Sequence, residues 1–224
     1  MKEYIGILAT KKLAKNQKQY LLNAGFKVID EDFIHIQPIA FEIKNTNNIL
    51  IFTSQNAVLN VLAYKEELIH KPAICVGEKT KKILLENGFS VVFFHLNAAE
   101  LIKHIENEYL NDSFTFFCGT SRLNTIPDFL NEKSITHQII EVYKTIETPV
   151  KIAPKMDGIL FFSPSGVSSY IKEHKITNEM CFCIGSTTSK AVEPFTKNIV
   201  IANQPSVENV IIQCIHYFKS TKND

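Results

Sequence analysis

Leu50-Ile51-Phe52-Thr53-Ser54-Gln55-Asn56-Ala57-Val58 and Ile159-Leu160-Phe161-Phe162-Ser163-Pro164-Ser165-Gly166-Val167 align without a gap. Each opens with a run that is apolar at consecutive positions, and therefore on both faces of a strand. Strands buried on both sides belong to parallel sheets covered by helices. Each run then meets Ser, Thr, Pro or Gly, residues that end strands and cap helices, and passes into helical spacing. The stretch thus holds strand end, turn and helix start of an α/β unit.

A second pair matches in the same way: Cys75-Val76-Gly77-Glu78-Lys79-Thr80-Lys81-Lys82 and Cys183-Ile184-Gly185-Ser186-Thr187-Thr188-Ser189-Lys190. Ser54 and Ser163 stand 109 residues apart, and Gly77 and Gly185 stand 108 apart. Two matches at nearly one offset predict two similar lobes. Taken singly, either match reads equally well as a generic strand–turn–helix junction.

Outward from these junctions, short apolar runs alternate with amphipathic ones. Strands are predicted over Tyr4–Ala9, Phe26–Ile29, Ile49–Thr53, Ala73–Val76, Val91–Phe94, Phe114–Cys118, Ile139–Val142, Gly158–Phe162, Cys181–Ile184 and Ile199–Ile201. Helices are predicted over Lys12–Ala24, Gln55–Tyr64, Glu78–Asn87, Ala98–Leu110, Arg122–Glu132 and from Ser206 to Phe218, with others after the late strands. So many strands exceed the usual five or six of one sheet and predict two sheets. Ile34–Phe41 and Ile140–Thr148 break the alternation. They are extended, accompanied by Pro38 and Pro149, and lead into no helix, as connectors between lobes would.

Composition narrows the function classes. Of 224 residues, 45% are hydrophobic and 21% charged, which is ordinary globular usage and excludes disorder as the main state. Lys and Arg number 24 against 23 Asp and Glu, so no basic excess exists to neutralise nucleic-acid phosphates. Met1-Lys2-Glu3 leads into an apolar run too short for a signal peptide, and no run approaches the ~20 residues of a membrane span. A cytoplasmic protein with neither nucleic-acid nor membrane partner is expected. Cys75, Cys118, Cys181, Cys183 and Cys214 are odd in number and lie mostly in apolar runs, so reduced, buried thiols are expected. Cys181 and Cys183 share one face of a strand and form no Cys-x-x-Cys.

The residues suited to chemistry gather where strands end and helices begin: Thr53-Ser54-Gln55-Asn56, Gly77-Glu78-Lys79-Thr80, Gly119-Thr120-Ser121-Arg122, Ser163-Pro164-Ser165-Gly166 and Gly185-Ser186-Thr187-Thr188. Ligands of open α/β sheets bind outside the carboxyl ends of the strands. Free N–H groups and the positive helix end favour anions there. Each junction alone also reads as helix capping; five together point to a shared site for a polyanionic small molecule. No dinucleotide fingerprint, P-loop or nucleophile elbow occurs, and the histidines lack metal-ligand spacing. His104 and His174 are expected at the surface.

Phe161-Phe162-Ser163-Pro164-Ser165-Gly166-Val167 resembles the Phe-Phe-Ser-Pro-Ser-Gly-Leu segment of uroporphyrinogen-III synthases. Ile51-Phe52-Thr53-Ser54 with Ala57-Val58, Val142-Tyr143-Lys144-Thr145, Ile184-Gly185-Ser186-Thr187-Thr188 and Pro205-Ser206-Val207-Glu208 are similar to further segments of that family, in order along nearly the whole chain. The resemblance implies two flavodoxin-like parallel-sheet lobes joined by a two-stranded antiparallel ladder. The first lobe is discontinuous, residues 1–36 with 147–224; the second is 37–146.

The resemblance also implies a reaction. The substrate is hydroxymethylbilane, a linear tetrapyrrole with eight carboxylates. Its terminal hydroxyl is lost, ring D is inverted through a spiro intermediate, and the macrocycle closes to uroporphyrinogen III in haem biosynthesis. The enzyme would be a carbon–oxygen lyase without metal or other cofactor, in which positioning outweighs strong acid or nucleophile. Tyr143 is then the candidate proton donor to the departing hydroxyl, or a ladder tyrosine packed for shape. Ser54, Thr80, Ser165 and Thr188 would meet substrate carboxylates, with Thr187 as the alternative to Thr188. Lys11, Lys12 and Lys190 lie near the same edge, as solvated surface or as added attraction. A monomer is expected, with transient contact to the preceding pathway enzyme. The sequence departs from the family in having Lys rather than Arg after the first strand, in Arg122-Leu123-Asn124, and in lacking a proline at Ser186. The competing reading is a non-catalytic two-lobed binding protein for a small polyanion.

Overall fold

The computed structural model of the protein describes residues 4–43 and 46–220; the expected lobe ends at 1–3 and 221–224 lie outside the described residues. β1 (Gly6–Ala9), α1 (Lys15–Asn23) and β2 (Lys27–Asp30) come first, and β3 (Ile34–Pro38) leads away from them. There follow β4 (Ile49–Phe52), α2 (Gln55–Val61), α3 (Lys65–Leu68), β5 (Ala73–Val76), α4 (Glu78–Glu86), β6 (Val91–His95), α5 (Ala98–Glu108), β7 (Phe114–Gly119), α6 (Thr125–Glu132) and β8 (His137–Glu147). The chain returns through β9 (Gly158–Phe161), α7 (Pro164–Ile171), β10 (Met180–Cys183), α8 (Ser186–Val192), β11 (Ile199–Ile201) and α9 (Val207–Ser220). It divides into two compact units, Met1–His35 with Ile146–Asp224, and Ile36–Thr145.

The first unit holds a five-stranded sheet in the order β11-β10-β9-β1-β2, parallel throughout. The second holds β3-β8-β7-β4-β5-β6, parallel from β8 to β6. β3 runs antiparallel to β8: the amide of Ile39 donates to the carbonyl of Val142, and that of Thr148 to Phe33. Setting β9 on β4 and β10 on β5, as the repeat requires, also sets β11 on β6, β1 on β7 and β2 on β8. The two parallel sheets thus share one strand order and are circular permutations of each other.

Side-chain alternation builds a core on each face of each sheet. In the second unit Ile49 and Ile51 pack with Phe114, Phe116, Leu101 and Ile105, while Leu50 and Phe52 pack with Phe117 on the other face. All four residues of β4 and of β9 are buried, as continuous apolar runs require. Cys181 and Cys183 share one cluster, as their spacing demands. All five cysteines are free and buried, and burial pushes the thiols of Cys75 and Cys118 up to about 11.

Three sequence expectations need correction. α6 starts at Thr125 rather than Arg122, because the Arg122 side chain turns back to Glu141. The helix after Ser54 tightens into a 3₁₀ turn over Leu62–Tyr64. His104 and His174 are half-buried rather than on the surface. His104 stacks on Phe93 and meets His95 nitrogen to nitrogen at 2.9 Å; His174 stacks on Tyr170 and bonds to the backbone of Val150 and Ile152. Among the described residues no helix is long and apolar enough to cross a membrane.

Candidate active site

A doubly wound sheet leaves a crevice where helices on its two faces diverge, between strands whose connections leave in opposite directions. In the first unit that point lies between β1 and β9; in the second, between β4 and β7. The residues at the ends of these strands are Thr10-Lys11-Lys12 and Ser163-Pro164-Ser165 in one unit, and Thr53-Ser54 and Gly119-Thr120 in the other. The permutation makes the two crevices topologically equivalent.

Ser54 and Ser163 occupy the same position in the two units. Each is the N-cap of its helix, Ser54 accepting from the amide of Asn56 at 3.1 Å and Ser163 from that of Gly166 at 3.0 Å. The capping reading of these two serines therefore holds. Pro164 suits the first helical position, where no N–H is needed. Ser165 lies one residue further, half-buried in the first turn of α7.

Thr80 and Thr188 are also a matched pair. Each is the third helical residue after a glycine N-cap, in α4 and α8, and each is buried, at 4% and 1% exposure. Thr187 beside the latter is exposed. The two glycines differ. Gly77 has φ +87°, where L side chains are strained, whereas Gly185 is extended.

Tyr143 lies in β8, whose eleven residues run past the end of β7. Cys118 pairs with Glu141, but Gly119 pairs with Tyr143, so Val142 is an extra residue in the ladder. This β-bulge overrides the alternation of a strand: Val142 and Tyr143, though consecutive, pack against the same apolar cluster. The bulge carries Tyr143 to the carboxyl edge of the sheet. There its phenol donates to Ser54 Oγ at 3.0 Å.

Ser54 Oγ thereby accepts two hydrogen bonds, from the Asn56 amide and from the phenol. A hydroxyl has two lone pairs, so its own proton is left to donate outward. The pair presents a donor beside the free N–H groups of α2, a setting that attracts a carboxylate. Tyr143 and Ser54 are brought together; Thr80 stands at the same sheet edge one helix along; Ser165, Thr187 and Thr188 belong to the first unit.

Two further residues, Thr10 and the junction residue Arg122, also serve these edges. Thr10 is buried and donates from Oγ1 to the carbonyl of Leu160 at 2.9 Å, tying β1 to β9 at the crevice. Arg122 donates from Nη1 to Glu141 Oε1 at 2.6 Å, and its buried Nε has no hydrogen-bond partner among the described residues. Neither carries a signal in the sequence beyond its place after a strand. A cavity of about 560 Å³ lined by Asn48, His70, Lys71 and Asp112 opens at the opposite edge of the second unit. Helix C-termini face that edge, and their dipoles repel anions.

Among solved structures, a uroporphyrinogen-III synthetase from Helicobacter pylori is similar with a TM-score of 0.73 at 20% identity, covering 95% of this chain and 99% of that one. A mutant uroporphyrinogen III synthase from Thermus thermophilus is similar with a TM-score of 0.70 at 11% identity, covering 98% and 100%. At these identities the likeness is one of fold. No curated protein sequence matches the chain. The profile of the family described as uroporphyrinogen-III synthase HemD matches residues 15–212.

Proposed function

The chain belongs to the uroporphyrinogen-III synthase family, and on that premise we propose how its own residues serve the family's reaction. Its function is the cyclisation of hydroxymethylbilane to uroporphyrinogen III in haem biosynthesis, with inversion of ring D and loss of water. The competing reading as a non-catalytic binding protein is not favoured.

In our reading the enzyme is a carbon–oxygen lyase and Tyr143 is the proton donor to the departing hydroxyl. The supporting observation is the hydrogen bond from its phenol to Ser54 at the carboxyl edge of the sheet. The phenol swings its proton from Ser54 Oγ to the leaving oxygen, which takes it as the carbon–oxygen bond breaks, and water departs. Ser54, still accepting from Asn56 but no longer from Tyr143, turns its own proton toward the phenolate that forms. A phenol is a weak acid, so the electron push of the substrate's own pyrrole nitrogen does most of the work. The protein's larger task is to hold the chain of rings so that ring D inverts before closure.

Ser54, Thr80, Ser165 and either Thr187 or Thr188 receive substrate carboxylates. Helix N-termini and hydroxyls do this without net positive charge, which suits a chain of formal charge +1. Of the threonine pair in the first unit, the exposed Thr187 reaches a ligand without rearrangement, whereas the buried Thr188 needs the first turn of α8 to open. We read the protein as a cytoplasmic monomer that meets the preceding pathway enzyme transiently; five free thiols are at home in a reducing compartment.

The test is an assay supplied with hydroxymethylbilane, followed by oxidation and separation of porphyrin isomers. Isomer III in excess over the spontaneous isomer I supports the reading. Isomer I alone, at the uncatalysed rate, overturns it.

A further inference from the structure

We infer that Gly119 is a positioning residue for the reaction: its missing side chain is the space through which Tyr143 reaches Ser54. The inference rests on the proton-donor reading of Tyr143 and deepens it. A Cβ at position 119 would stand 2.5 Å from Cζ, 2.6 Å from Cε2 and 2.9 Å from the phenol oxygen of Tyr143. Real Cβ atoms do not approach rings so closely, so any other residue at 119 displaces the ring. The glycine is not there for a left-handed backbone, because it is not among the positive-φ glycines. Space alone explains it.

The ring lies over Gly119 because the register of β8 slips there. The slip is held on both sides. Before it, Cys118 pairs with Glu141, and Arg122 holds the Glu141 carboxylate at 2.6 Å. After it, the Thr120 amide donates to the Tyr143 carbonyl at 3.0 Å. Opposite β7, the Ile39 amide takes up the carbonyl of the extra residue, Val142, at 3.1 Å. The bulge therefore has one position open to it, and that position lays the phenol ring across a residue with no side chain. Arg122 acts on Tyr143 from a distance, by fixing where the extra residue sits.

The experiment combines Gly119→Ala and Arg122→Gln, each alone and each with Tyr143→Phe, reading kcat, KM, isomer ratio and melting temperature. Gly119→Ala is expected to lower kcat by about the factor seen in Tyr143→Phe, up to about 10²-fold, with little change in KM. In the Tyr143→Phe background it is expected to lower kcat no further, because the proton it misplaces is already gone. Arg122→Gln, which adds no volume and so remains informative where Gly119→Ala does not fold, is expected to show the same dependence on the phenol. A residue that merely supports the fold would lower kcat equally in both backgrounds, and that outcome overturns the inference. Impaired Tyr143→Phe with unimpaired Gly119→Ala and Arg122→Gln overturns it alone. A fully active Tyr143→Phe overturns the proton-donor reading, and this inference with it.

Discussion

The phenol of Tyr143 donates to the hydroxyl of Ser54 at 3.0 Å, across 89 residues of chain. One partner caps a helix and the other sits beyond a register slip, so the contact exists only when β4, β7 and β8 are all in place. Removing the phenol oxygen in Tyr143→Phe keeps the ring in its cluster. The expected loss is in kcat, about 10²-fold at most. One net hydrogen bond is worth about 1 kcal/mol, so the melting temperature is expected to move by only a few degrees. Full activity with unchanged isomer ratio would make Tyr143 structural.

In the proposed site the hydroxyls share a polycarboxylate substrate, so each is expected to matter less than Tyr143. Thr80→Val, which keeps shape and removes the hydroxyl, and Ser165→Ala are each expected to raise KM by no more than about tenfold, the worth of roughly one charge-assisted hydrogen bond. Their effect on kcat is expected to be smaller than that of Tyr143→Phe. Steady-state kinetics on the purified variants checks the ranking.

The two junction glycines separate by backbone. Gly77→Ala forces a side chain into φ +87° and is expected to cost about 1–3 kcal/mol. Gly185 is extended, with nothing among the described residues within 4 Å of an added Cβ, so Gly185→Ala is expected to be nearly neutral. Equal destabilisation of both in denaturant unfolding would contradict this account.

Glu179 supplies a pH dependence. Burial raises its carboxyl, but bonds to one oxygen from the Thr177 amide at 2.6 Å, the Thr177 hydroxyl at 3.1 Å and the Asn178 amide at 3.0 Å help to outweigh it. The net result is a pKa below the ordinary value. A carboxyl lowered by folding stabilises the protein above its unfolded pKa, and that contribution disappears as pH falls through the folded one. Stability is therefore expected to drop on acidification below about pH 4. Glu179→Gln keeps an acceptor and removes the charge. It is expected to cost about 1 kcal/mol at neutral pH and almost nothing well below pH 4. Unfolding curves at the two pH values measure the difference.

Doubly apolar runs such as Ile49–Phe52 and Gly158–Phe161 announce buried parallel strands from sequence, and the paired junctions announce the repeat. The permutation is not legible there. Residues of β1 and β2 carry no motif that ties them to β7 and β8, and only pairing between distant strands assigns them. The candidate site divides in the same way. Ser54 and Ser165 stand out as hydroxyls after strands. The Tyr143–Ser54 contact depends on a one-residue slip between β7 and β8, which no local pattern encodes. The partial burial of His104 and His174 is not legible either, because sequence spacing shows a face, not the ring that covers it. Arg122 resembles a helix start until Glu141, brought alongside by the sheet, draws it out of the helix.

The permutation also sets an order in time. Every strand of the second unit's parallel sheet, β4 to β8, is available once the chain is made as far as Glu147. The first unit has only β1 and β2 by then, and β1 must wait for β9, with Thr10 and Leu160 separated by 150 residues. Contacts between sequence-distant partners form slowly, and domains fold as units as they leave the ribosome. A nascent chain thus completes its inserted half while two strands of the other half stand unfinished, their apolar faces uncovered. Within this fold the strands made first are the last to be sheltered, and β1 waits longest for its neighbour β9.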